Sequence, residues 1–153
     1  MLLVFCTLFY CSSITCHSLK GYVVRVIDGD TIVLLDSLDT QHKIRLDGID
    51  CPEKGQPFGS VATKFVKDIS KGKLATTHYT KKDRYRRILG VLIVDSVDVN
   101  KELLRNGLAW HYKHFNNDSI YSQLEHEARD KKLNLWSDKS PIEPYHWRKG
   151  KRE

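Results

Sequence analysis

In the first third of the chain the apolar positions fall into short runs rich in β-branched residues, broken by polar turns. Gly21–Ile27 (GYVVRVI) predicts a first strand, and Gly29 between Asp28 and Asp30 predicts a tight turn after it. Thr31–Asp36 (TIVLLD) and His42–Leu46 (HKIRL) lie either side of the polar stretch Ser37–Gln41 and complete a three-stranded meander. Pro52, Gly55, Pro57 and Gly59 then mark a loop.

The spacing changes at Ser60. Val61, Phe65, Val66 and Ile69 recur at threes and fours, which predicts an amphipathic helix stopped by Gly72. Leu74–Tyr79 and Ile88–Asp95 predict two more strands, with the basic segment Lys81–Arg87 between them. A short helix is predicted behind Asn100 as N-cap, with Leu103 and Leu104 inward and Gly107 ending it. A further helix is predicted over Ser119–Lys131, with Ile120, Leu124 and Ala128 on its inner face. Five strands with a helix between the third and fourth is the order of an OB-type Greek-key barrel. The expected class is therefore α+β, mainly β barrel, with three helices.

At 153 residues, 41% hydrophobic and 29% charged, the chain is sized for one globular domain with its own core. Its formal charge of +6 favours a polyanionic partner, nucleic acid before an acidic membrane surface. Cys6, Cys11 and Cys16 crowd the start and only Cys51 lies beyond, so neither an internal disulfide nor a paired-cysteine zinc site is expected. Residues 1–18 have the apolar run of a signal peptide, though not its basic start, and are too short to span a membrane stably. Export, to the periplasm or outside the cell, is expected. Ser13-Ile14-Thr15 before Cys16 argues against a lipid anchor there. The folded domain is expected over 19–138, acting as a monomer. Residues 139–153 read as a basic tail that either adds salt-sensitive affinity for nucleic acid or is simply solvated.

Candidate chemistry concentrates between Val26 and Glu53 and returns at Arg87. Asp30 and Asp50 are hard oxygen donors at the ends of different strands, suited to Ca²⁺ or Mg²⁺ together with a backbone carbonyl and waters. Aspartates in Asp-Gly turns are also favoured for backbone reasons alone. Arg45 stands mid-strand and Arg87 opens the fifth strand. Each offers a planar donor fork to phosphate, or else an ordinary salt bridge to Asp47 or Asp83. Glu53 follows Asp50 across Pro52, close enough to serve as general base beside an ion without ligating it. His111 and His114 lack a third partner at metal-ligand spacing. Trp110, Trp136 and Trp147 read as packing residues.

VIDGDT, RLDGIDCPE, DRYRR, NGLAWHY and LNLWSD occur in this order between Gly21 and Asp138. In these blocks the chain resembles the thermonuclease family, the staphylococcal-nuclease-like Ca²⁺-dependent nucleases. The resemblance implies a five-stranded OB barrel with three helices that hydrolyses phosphodiesters in DNA and RNA at exposed or single-stranded regions. It also implies low sequence specificity and 3′-phosphate ends. By position it makes Asp30, Asp50 and the main-chain carbonyl of Cys51 the calcium ligands, with Asp28 a supporting acid. Arg45, Glu53 and Arg87 match its catalytic trio. Arg84, Tyr85 and Tyr112 match residues that border the nucleotide, with Arg84 where a lysine is frequent. The rival readings are a catalytically silent OB module that binds single strands or a protein, and a zinc or magnesium phosphatase. The first has no chemical need for all five of Asp30, Arg45, Asp50, Glu53 and Arg87. The second wants a larger ligand set than the chain offers.

Overall fold

A computed structural model describes residues 16–152. Most of the segment read as a leader therefore lies outside the described residues. The first strand, β1 (His17–Val26), begins within that segment, four residues earlier than the β-branched run suggests. It pairs antiparallel with β2 (Thr31–Leu35), which pairs with β3 (Gln41–Leu46). On its other side β1 meets β5 (Leu74–Lys82), and β5 meets β6 (Ile88–Val94). A parallel pairing of β3 with β6, Arg45 opposite Leu89, closes the five strands into a barrel. Closure leaves no long free edge, and it places the ends of β2, β3 and β6 side by side.

Val23, Ile32, Leu34, Ile44 and Leu92 are fully buried inside the barrel. Helix α1 (Gly59–Ser70) covers one opening, but its inner stripe is Ala62–Val66, with Phe65 and Ile69 half-buried. Val61, expected on that stripe, is exposed. In α3 (Ser119–Asp130) Leu124 and Ala128 lie on the inner face as expected, and one position differs. There Tyr121, Leu124 and Ala128 face inward and Ile120 faces solvent, because the aromatic ring packs against His111. In each helix a single expected apolar position, Val61 or Ile120, turns to solvent at the edge of the buried face.

Two short strands, β4 (Ile49–Asp50) and β8 (Trp110–His111), form a separate two-stranded ladder that spacing arguments do not reveal. Between β6 and β8 lie β7 (Val97–Asp98) and α2 (Val99–Arg105). The N-cap of α2 is Asp98, whose carboxylate accepts from the Lys101 N–H at 3.0 Å. Asn100 is instead fully buried: its Oδ1 accepts from Leu92 N–H and its Nδ2 donates to the carbonyls of Asp47 and Gly90. It thereby ties the turn after β3 to β6. Asn100→Leu removes those bonds at similar volume and is expected to cost about 3 kcal/mol, since each stranded buried polar group costs about 1–3. An unchanged urea midpoint would contradict that role.

Beyond α3 come a 3₁₀ turn (Asn134–Ser137) and a last helix, α4 (Pro144–Arg148). The segment read as a solvated tail is thus partly packed. Pro144 is buried, and the Ile142 carbonyl accepts from Gln56 Nε2 at 2.6 Å. No helix among the described residues is long and apolar enough to cross a membrane.

Candidate active site

The turn between β1 and β2 is built by its own aspartates. Asp28 Oδ1 accepts from the Asp30 N–H at 3.1 Å, a local bond that makes Asp favourable here. Gly29 between them has no substitute: a Cβ there would sit 2.8 Å from the Cys51 Cβ and 2.9 Å from that of Ala62. That close approach presses the turn against the β4 loop. Asp30 Oδ2 accepts from the Cys51 N–H at 2.8 Å across 21 residues of sequence.

Arg45 crosses from β3 and joins the two acidic turns. Its Nε lies 3.2 Å from Asp30 Oδ1 and its Nη2 2.7 Å from Asp50 Oδ1. Nη1 donates to the carbonyls of Leu46 and Ile49 at 2.9 and 2.8 Å. Three of the five guanidinium N–H groups donate hydrogen bonds within the protein and Nε is ion-paired to Asp30, leaving one N–H on Nη2 for an outside acceptor. Burial disfavours the charge of Arg45, but Asp30 and Asp50 outweigh burial and hold it above its ordinary range. Burial lifts Asp50 above the usual carboxylate range although Arg45 pulls the other way. Burial, then the charge of Asp30, pushes Asp28 up to about 6.

Arg87 comes from the start of β6, behind a turn organised by Asp83. Asp83 Oδ1 accepts from the N–H groups of Tyr85 and Arg87, and its Oδ2 from Arg87 Nε at 2.7 Å. The salt bridge weighed for Arg87 is real, yet both of its Nη atoms are without a partner among the described residues. Burial works against the ionised form of Asp83, and the Arg87 hydrogen bond overrides it and keeps that carboxyl low. Tyr85 stands 64% exposed at the rim with the Arg84 guanidinium 4.8 Å from its ring centre. Across the opening, Tyr112 is fixed by its N–H on the Gly48 carbonyl and packs edge-on against Phe115.

One cleft of about 780 Å³ takes in Asp28, Asp30, Arg45, Asp50, Glu53 and Tyr112 from the side of β1–β4 and β8, and Arg84, Tyr85 and Arg87 from the β5–β6 side. Cys51 does not line it. The residue is 2% exposed, and burial drives the thiol well above its usual range, so the thiol is unreactive. Spacing did not anticipate Arg148, which reaches the cleft from α4 and pairs with Asp50 at 3.1 Å and with Glu53. Its only advance signal was two aromatics and two prolines in an otherwise basic tail. His111 has both ring nitrogens engaged, with Ser122 and Asn116 at 3.0 Å.

No cluster of three or more carboxylate, histidine or cysteine side chains is arranged for a metal among the described residues. A cation here would rest on two carboxylates, Asp30 and Asp50. Both are oxygen donors, as a hard ion demands, with room for carbonyl, water and phosphate. That a guanidinium already bridges Asp50 and Glu53 marks the spot as one that accepts positive charge.

A family model described as "Staphylococcal nuclease homologue" matches residues 43–138. An uncharacterized endonuclease of Escherichia coli is 44% identical over 136 residues, 88% of each chain. One from Haemophilus influenzae is 38% identical over 151 residues, 97% of this chain and 82% of its own. A micrococcal nuclease of Shigella flexneri is 36% identical over 141 residues, 85% and 80%. With the family model matching from within β3 to the end of the 3₁₀ turn, and relatives of this identity over most of the chain, the chain belongs to the staphylococcal nuclease family.

Proposed function

We propose that the protein is a Ca²⁺-dependent nuclease that hydrolyses phosphodiesters of DNA and RNA with little sequence preference and leaves 3′-phosphate ends. The observation that carries this reading is the single Arg45 guanidinium held between Asp30 and Asp50, with Glu53 and the free fork of Arg87 facing the same cleft. Asp30, Asp50 and the main-chain carbonyl of Cys51 would hold the calcium. When bound, it polarises the scissile phosphate and offsets its charge. Arg45 gives its remaining N–H to a phosphate oxygen. Glu53 takes, or orients, a proton of the attacking water. Arg87 turns its unpaired Nη groups to the charge that builds on the phosphorane and toward the departing 5′-oxygen. Tyr85 and Tyr112 on opposite rims flank the nucleotide, and base stacking of this kind tolerates any sequence.

The test is cleavage of single-stranded DNA and RNA with calcium and with a calcium chelator. Activity should vanish in chelator and return with calcium, and the ends should resist polymerase extension until dephosphorylated. Cleavage indifferent to chelator would remove the cation from the reading. Nucleic-acid binding without cleavage would favour the silent module.

A further inference from the structure

Asp50 is gripped by two guanidinium groups of opposite character. Arg45 is 13% exposed at its side chain and anchored on two backbone carbonyls besides its carboxylates. It cannot leave without stranding them. Arg148 approaches the same carboxylate fork-on, Nη2 3.1 Å from Oδ2 and Nη1 3.4 Å from Oδ1, and Nη1 also reaches Glu53. It has no other hydrogen-bond partner among the described residues, its side chain is 42% exposed, and it ends a five-residue helix. Its mount is tied to the same loop. Gln56 accepts from the Glu53 N–H at 2.9 Å and donates to the Ile142 carbonyl, and Arg152 closes over Trp147 behind it.

We propose that Arg148 is the resident counter-ion of the site, holding Asp50 and Glu53 together, and that a divalent cation binds by displacing it. This rests on the reading of Asp30 and Asp50 as cation ligands. A guanidinium lying on the fork of Asp50 and a dication on the same carboxylate repel one another, and the less anchored of the two arginines yields. Displacement frees Glu53 from its ion pair, so the base becomes available when the cation is in place. Gln56 keeps α4 docked, which leaves the released fork at the cleft mouth, where substrate phosphate is the next anion it meets.

Calcium titrated calorimetrically into the full chain tests this without reference to turnover. Arg148→Met and Arg148→Gln should each bind calcium about tenfold more tightly than the parent, a coupling of ordinary size for two linked sites. Arg148→Lys, which keeps the charge, should stay near the parent. A residue that merely braced the site would give the opposite sign, since its loss loosens the ligands. Calcium affinity unchanged or weakened in both uncharged variants overturns the competition while leaving the nuclease reading intact. Calcium binding by none of the proteins overturns that reading and takes the competition with it.

Discussion

Glu53→Gln is expected to lower the single-turnover cleavage rate by about 10²–10⁴, the usual contribution of a positioned general base, while oligonucleotide affinity changes little. The substitution is isosteric, and it keeps what the fold uses. The Glu53 N–H still meets Gln56 Oε1, and an amide oxygen still accepts from Arg148. The side chain is 36% exposed, so the melting temperature should barely move. What disappears is an oxygen able to take a proton from water. A Glu53→Gln protein that turns over near the parental rate would overturn the assignment.

Much of this site was readable before any coordinates because its parts are local. The Asp28–Asp30 turn makes its own hydrogen bonds, and Asp83 builds the Tyr85–Arg87 turn from within five residues. Chemistry of that kind is written in adjacent letters. The barrel was equally legible, since β-branched runs and glycine breaks specify strands without reference to their partners. What escaped depends on contacts that local pattern does not encode. Arg148 meets Asp50 across 98 residues, and in a run of basic residues one long side chain looks like the next. Asn100 has the composition of a cap but is drawn inward because a backbone junction needs both faces of an amide. Ile120 and Tyr121 are neighbours of similar apolarity, and only the position of His111 decides which turns in.

Arg45→Met is expected to destabilise the protein as well as silence it, and calcium should return much of the stability but none of the rate. Asp30 and Asp50 are 10% and 5% exposed at their side chains, and among the described residues Arg45 is the one group that pairs with both. Removing one partner of a buried pair costs about 3–5 kcal/mol because the other charge is left uncompensated. For a domain of this size that lowers the melting temperature by about 10 °C in chelator, at about 2–4 °C per kcal/mol. Arg148 softens the loss at Asp50 but does not reach Asp30. A divalent cation held as proposed would reach both, so the calcium-induced rise in melting temperature should be larger in the variant than in the parent. Cleavage should fall by at least about 10²–10³ even with calcium saturating, because a preorganised donor to the phosphate is gone. Arg45→Lys sharpens the point. A lysine restores charge but not a fork that spans two carboxylates and two carbonyls, so stability should return in part and rate hardly at all. If Arg45→Met melts with the parent in chelator, the two carboxylates do not need this guanidinium. The acidic pair would then not be the charge-strained platform that cation binding and phosphate activation both require.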